Sequence, residues 1–400
     1  MLRLPTSWGN GLKSIICNGK KMKRFDYEFP VRIHFGQGCF EDSLKKELQK
    51  YGKRVMLAYG GGSLKRTGLY DRIVDMLGEA GKTVTDFGGI MPNPTYAKVL
   101  EGAMLAREQK VDFILAVGGG SVSDCCKIVS AQARLDSDIW DYEYAERKIP
   151  TEFIPLGVIV TASGTGSEQN NGAVITNEEK KQKSPLWGSF ADFAILDPDL
   201  TKTVPMKQVI SGAFDTLSHC METYFGHPHT CNLSDRINEA VQRSVIKNLK
   251  AIIANPDDDF ARSELMWASA MGENGILKLG KVTDFQCHMI EHQLGAYTDC
   301  NHGQGLAVLH PILYRHIYKS AEEKFRRWAQ EVWLVQDADE GIDFLADFIR
   351  EVGLPTTFTE MGIILDDDTI RAIATSTIIT PGCCKQLTAD EIVLILNECN

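Results

Sequence analysis

Asp215, His219, His288, His292 and His302 carry most of the chemistry that can be read in this chain. They fall in two short runs, DTLSHCMETY and CHMIEHQLGAYTDCNHG. Asp215 and His219 are spaced i, i+4, and so are His288 and His292. On helices, each pair shares one face, with Cβ atoms about 5–6 Å apart. His302 follows ten residues after His292, and its run reads as a loop just before Gly303. Carboxylate and imidazole suit a divalent first-row metal. The chain has only nine histidines, so their gathering here points to a site of one Asp and three His, with one His to spare. Spacing alone leaves open which of His288 and His292 is the ligand. His227, His229, His310 and His316 lack such company and read as structural or surface residues. An open position on such a metal would polarise a carbonyl or stabilise an alkoxide.

A metal of that kind gains a purpose from the glycine loops. Gly118, Gly119, Gly120 and Ser121 follow the apolar run FILAV directly and precede a helix-like run that includes Asp124. Glycines let backbone N–H groups approach a phosphate, and a helix N-terminus adds partial positive charge. The G-x-G-x-x-G spacing is absent. Gly60, Gly61, Gly62 and Ser63 follow VMLAY and precede Lys65 and Arg66. Dinucleotide folds that select NAD carry an acid after a neighbouring strand to bind the ribose hydroxyls. Glycines, a hydroxyl and two cations stand here instead, a composition that accepts a 2′-phosphate. A third run, VTASGTGSEQNNGAVIT, offers Thr161, Thr165, Gly166, Ser167 and Asn170 as small polar groups on open backbone.

These residues need a scaffold, and the chain has the length for two domains at 400 residues. From about residue 31 strand-like and helix-like runs alternate, which implies βαβ units and a parallel sheet covered on both faces. After Leu200 nearly every run reads as a helix, among them SGAFDTLSHCMETYF, RINEAVQRSVIKNLKAIIAN and EEKFRRWAQEVWLV. The change falls in LDPDLTKTVP, where two prolines interrupt the pattern. The expected organisation is an extension over 1–24, an α/β dinucleotide-binding domain over 25–204 and an all-helical metal-binding domain over 205–400. The extension is basic, lacks acids and reads as a disordered tail or a start upstream of Met22.

Composition limits the partners. The formal net charge is −10, which argues against nucleic acid or an anionic membrane as the main partner. No apolar run reaches the roughly 18 residues of a membrane span. The eleven cysteines include no C-x-x-C pair, and their odd number fits reduced thiols and a cytoplasmic location.

The chain resembles the iron-containing (group III) alcohol dehydrogenases, and within them the NADPH-dependent butanol dehydrogenase-like branch. The resemblance runs over about residues 25–400, on FGQG, YGGGSLKRTG, GGGSVSDCCK, TASGTGSEQNNGAVIT, ILDPDLTKTVP, SGAFDTLSHCMETYF and CHMIEHQLGAYTDCNHG. It implies a dehydroquinate synthase-like architecture, with metal and cofactor in the cleft between the α/β and helical domains. It implies Asp215, His219, His288 and His302 as metal ligands, with Fe²⁺ first and Zn²⁺ or Ni²⁺ as alternatives. His292 is then a non-ligand near the nicotinamide, engaged in proton transfer or positioning. The pyrophosphate lies on Gly118–Ser121 with Asp124 close by, Thr161 and Thr165 run along the cofactor, and Lys183 stands near its ribose. NAD-using relatives carry an acid where Gly61 stands, so the resemblance implies NADP(H) over NAD(H). A small alcohol or aldehyde is the implied substrate and a homodimer the implied assembly. Gln169 and Asn171 depart from the Met and Gly often found at those positions, and the Cys125–Cys126 pair replaces small residues. A lyase of the dehydroquinate synthase type would need a basic cluster for a phosphorylated substrate, and the helical half shows none beside the histidines. The intact glycine loops argue against a catalytically silent metal binder.

Overall fold

The computed structural model describes residues 23–229 and 231–400. Apart from Lys23 and Arg24, the expected N-terminal extension lies outside the described residues. The first half runs β1 (Arg32–Phe35), α1 (Phe40–Leu48), β2 (Arg54–Tyr59), the single turn α2 (Ser63–Arg66), α3 (Leu69–Glu79), β3 (Thr83–Phe87), α4 (Tyr96–Glu108), β4 (Phe113–Gly118), α5 (Gly120–Gln132), α6 (Ile139–Tyr144), β5 (Leu156–Val160), β6 (Gly172–Asn177), β7 (Gln182–Trp187) and β8 (Phe193–Leu196). Six of these strands form one parallel sheet, in the order β1-β8-β5-β4-β2-β3.

The continuous apolar strands explain why this sheet is sandwiched. Side chains alternate between faces along a strand. Met56, Ala58, Ile114 and Ala116 join a core with α4 and α5, whereas Val55, Leu57, Phe113 and Leu115 join another with α1 and α3. Both faces are therefore covered, as parallel sheets require. Each of the larger of these buried side chains contributes about 1.5–3 kcal/mol relative to exposure.

Strand order reverses between β2 and β4. From β2 the chain steps to β3 at the edge, then returns to lay β4 on the other side of β2. Tyr59 pairs with Val117 at the carboxyl ends of these neighbours, so the two glycine loops emerge side by side. Such a switch point is where open α/β sheets bind ligands.

The run after Thr165 departs from a plain polar connection. Gly172–Asn177 is a strand, paired antiparallel with Gln182–Trp187 as a hairpin outside the main sheet. Lys183 lies on its second strand, and Tyr144 of α6 donates to Pro185 O at 2.7 Å.

The second half is helical: α7 (Met206–Tyr224), α8 (Leu233–Ala254), α9 (Asp259–Glu273), α10 (Gln286–Thr298), α11 (His302–Ile317), α12 (Glu322–Trp328), α13 (Ala338–Glu351), α14 (Asp367–Ser376) and α15 (Ala389–Glu398). Phe214, Leu217, Met221, Tyr224, Ile290, Leu294, Leu306, Leu309 and Trp328 are all buried in its core. The run EEKFRRWAQEVWLV is not one uniform helix. It changes to a π turn over Ala329–Trp333, then stops at Leu334, whose φ is 63°. His302 also departs from the loop expected for it. Asn301 caps α11 by accepting from Gln304 N at 3.2 Å, which makes His302 the first helical residue. Among the described residues, no helix is long and apolar enough to cross a membrane.

Candidate metal and cofactor site

Three helices bring the histidines together. Asp215 and His219 face inward from α7, His288 and His292 from α10, and His302 from the first turn of α11. Asp215 Oδ1 lies 3.5 Å from His288 Nε2, 3.5 Å from His302 Nε2 and 3.7 Å from His219 Nδ1. Ligand atoms of Asp215, His288 and His302 all fall within 4.8 Å of one another. His219 stands a step outside that triad, its ring stacked on His288 with centroids 4.4 Å apart. A second grouping of Glu291, His292 and His302 overlaps the first through His302.

The donor set fits a divalent cation on its own terms. Asp215 Oδ1, His219 Nδ1 and His288 Nε2 are buried, yet none has a hydrogen-bond partner. Orphaned buried polar atoms are rare and each calls for a cause. Convergence of these atoms on one point supplies the cause, because each would otherwise lose solvation without return.

Two carboxylates that sequence reading missed orient the rings. Glu222 Oε2 is hydrogen-bonded to His288 Nδ1, and its Oε1 accepts from Cys287 N at 2.6 Å. Glu291 Oε2 is hydrogen-bonded to His302 Nδ1. Both carboxylates are almost fully buried. With each Nδ1 engaged, each Nε2 is turned toward Asp215, the arrangement that fixes metal-binding imidazoles. A signal for both was present: Glu222 is i+7 from Asp215 and i+3 from His219, and Glu291 is i+3 from His288.

Charge follows this geometry. Burial pushes Asp215 up, but the nearby imidazoles of His219, His302 and His288 outweigh it, holding the carboxyl well below its ordinary range. Burial pushes His288 down, and Glu222 and Asp215 overcome it, raising that imidazole to about 10. His292 goes the other way. Its burial, with Lys183, His302 and His288 nearby, holds it well below the ordinary value. His292 is thus neutral at neutral pH, and its Nδ1 has no protein partner. Its ring lies 5.6 Å from that of His302.

Backbone strain sits at both ends of α10. Phe285 before it and Asp299 after it hold φ values of 54° and 50°. Left-handed conformations in residues other than glycine gather at functional sites and need surrounding structure to hold them. The cation of Lys278 over the Phe285 ring, at 5.2 Å, and Asn93 Nδ2 donating to Asp299 Oδ1 at 2.8 Å are parts of that support.

The glycine loops lie across the cleft in the α/β half. A Cβ on Gly120 would come 2.3 Å from Thr165 Oγ1, so the first residue of α5 must be glycine for Thr165 to pack there. Gly118 and Gly60 both approach Val122 Cγ2, which places the two loops against one side chain. Thr161 is tied to this floor by its N–H on Gly118 O at 2.9 Å. Asp124 is engaged within the protein: Ser167 Oγ donates to its Oδ1, and Val174 N donates to Oδ2 at 2.8 Å. Lys183 is buried and reaches Glu291 Oε2 at 3.4 Å. At the other loop, Gly61 has open space around it, and Lys65 Nζ lies over the rings of Tyr59 and Tyr70.

Known proteins share this arrangement of elements. The NADH-dependent butanol dehydrogenase A of Clostridium acetobutylicum is 39% identical over 352 residues, 86% of this chain and 90% of that one. The NADPH-dependent aldehyde reductase YqhD of Escherichia coli is 34% identical, over 88% of this chain and 92% of that one. The crystal structure of a NADH-dependent butanol dehydrogenase A from Thermotoga maritima superposes with a TM-score of 0.89 at 31% identity, covering 94% of this chain and 99% of that one. Residues 30–198 match the family described as iron-containing alcohol dehydrogenase, and residues 209–399 match its C-terminal family. The chain therefore belongs to the iron-containing alcohol dehydrogenase family.

Proposed function

We propose that the protein is a metal-dependent oxidoreductase that interconverts primary alcohols and their aldehydes with a nicotinamide cofactor. The observation that carries this reading is the convergence of the partnerless atoms Asp215 Oδ1, His219 Nδ1 and His288 Nε2 with His302 Nε2. Asp215, His219, His288 and His302 would hold one divalent metal, Fe²⁺ first, with Zn²⁺ or Ni²⁺ able to replace it. Bound there, the metal supplies Lewis acidity toward the carbonyl or alkoxide oxygen, and the nicotinamide supplies or takes the hydride. Glu222 and Glu291 hold the His288 and His302 rings in place. His292, neutral and with a free Nδ1, accepts the alcohol proton in one direction and returns it in the other. Butanol dehydrogenases and an aldehyde reductase among the relatives support a short-chain alcohol or aldehyde as substrate.

The cofactor would lie across the switch point. Gly118, Gly119, Gly120 and Ser121 take the pyrophosphate, Thr161 and Thr165 flank it, and Lys183 meets the nicotinamide ribose. Relatives of both cofactor habits exist, NADH-dependent and NADPH-dependent. For this chain we favour NADP(H), because Gly61 places no acid beside the adenosine ribose and Lys65 and Arg66 stand close by in sequence.

One assay tests the reading. Protein loaded with Fe²⁺, Zn²⁺ or Ni²⁺ is mixed with NADPH and butanal, and the reduced cofactor is followed by absorbance. Oxidation with at least one metal is expected. Failure with all three metals and a series of aldehydes, with NADH as well as NADPH, would overturn it.

A further inference from the structure

Glu291 is a carboxylate beside the candidate metal site that both halves of the protein address. It is fully buried on α10, between His288 and His292 in position. From the helical half, His302 Nδ1 is bonded to its Oε2, and Cys300 Sγ approaches Oε1 at 3.7 Å. From the α/β half, Lys183 Nζ reaches the same Oε2 at 3.4 Å. His302 and Lys183 therefore share one oxygen. Glu222, by contrast, is bonded to His288 and backbone N–H groups of α10, with no lysine on it. Both carboxylates hold a ligand imidazole by its Nδ1, but only Glu291 also carries a lysine.

We propose that Glu291 is a positioning residue for His302 whose hold on that ring is set by competition with Lys183 across the cleft. A carboxylate that accepts from a ligand's other nitrogen raises its basicity and fixes its direction. An ammonium on the same oxygen withdraws part of that negative charge. Lys183 stands on the β6–β7 hairpin and has N–H groups to spare beyond this single bond. A ligand in the cleft that accepts from Lys183 draws it from Glu291 and strengthens the His302 side. Metal affinity and cofactor affinity are then coupled, each tightening the other by the same factor. This rests on the metal assignment proposed above.

The two residues predict opposite signs, which a merely structural role would not give. Dissociation constants for Zn²⁺ are measured by chelator competition on full-length protein, alone and with saturating NADPH. Glu291→Gln is expected to weaken Zn²⁺ by about 10- to 100-fold. Lys183→Met is expected to tighten it by roughly 3- to 10-fold, the size of one charge removed from a partly screened site. NADPH should tighten Zn²⁺ in the wild type and lose that effect in Lys183→Met. Circular dichroism and thermal melts of the metal-free variants separate folding failure from loss of affinity. Weakening in both variants, or no change in Glu291→Gln, overturns the proposal. If Glu291→Gln does not fold, the sign of Lys183→Met and its loss of NADPH coupling still decide. A wild type that binds no metal overturns the functional reading instead.

Discussion

Gly61→Asp is the change that bears most sharply on cofactor choice. The substitution is clean, because a Cβ built on Gly61 meets no atom within 4 Å and its φ is not in the left-handed region. Its neighbours are less forgiving: a Cβ on Gly60 would come 3.3 Å from Ile90 O, and one on Gly62 3.0 Å from an Arg66 guanidinium nitrogen. An aspartate at 61 can therefore appear without moving the loop. A 2′-phosphate carries a charge of about −1.5 to −2. At roughly 5 Å from a carboxylate, on an open loop where the effective dielectric stays near that of water at about 55–80, repulsion is about 1–2.5 kcal/mol. The same carboxylate can accept from the ribose hydroxyls of NADH. The ratio of kcat/KM for NADPH to that for NADH should fall by roughly 5- to 70-fold, less so at high salt. Steady-state kinetics with one aldehyde and both cofactors, at low and at high ionic strength, measure this. A ratio that stays within twofold of the wild type would refute the placement of the adenosine ribose at this loop.

Other perturbations reach different parts of the structure. Gly120→Ala forces its methyl onto Thr165 Oγ1, and should weaken NADPH binding at least about tenfold in a fluorescence titration while the protein still folds. Lys127→Met strips the donor from Ser167 Oγ at 2.8 Å, Asn170 Oδ1 at 3.1 Å and Gly172 O at 2.7 Å. Loss of these three bonds, the one to buried Ser167 above all, should lower stability by about 1–3 kcal/mol in urea unfolding. Glu143 is raised by burial from 4.5 to about 7, with its carboxyl accepting from Trp187 N. The folded state therefore keeps this proton up to about pH 7, whereas the unfolded chain releases it near 4.5, so its contribution to stability falls as pH rises between those values. Glu143→Gln should remove that fall, about 1–2 kcal/mol between pH 4.5 and 8 after allowance for solvent screening, as read by unfolding at both pH values.

The alternation of β2, β4 and their helices was legible because both sheet faces are buried, which makes VMLAY and FILAV unbroken apolar runs. The pairing of histidines was legible because i, i+4 spacing is a helix property. Which histidine takes which place was not legible, since it depends on the crossing of α7, α10 and α11. Glu222 and Glu291 went unread for a related reason: a carboxylate at helical spacing looks like a solvated charge until the partner helix is in place. The β6–β7 hairpin was missed because GAVITN and QKSPLW are short and flanked by polar residues, the second even containing Pro185. Its place against α5 and α10 is set by tertiary contacts such as Gln293 Nε2 donating to Lys183 O at 3.1 Å. His302 moved from a loop to a helix start because Asn301 is a cap, a signal present in the sequence and outweighed there by the glycines after it.

Metal content decides the central claim most directly. Wild type and Asp215→Ala are purified metal-free, reconstituted anaerobically with Fe²⁺, freed of excess metal and analysed by inductively coupled plasma mass spectrometry. The wild type should hold one metal ion per chain, and Asp215→Ala should hold almost none while keeping its fold by circular dichroism. Full occupancy in Asp215→Ala, or none in the wild type, would contradict a site built on Asp215 and its three histidines.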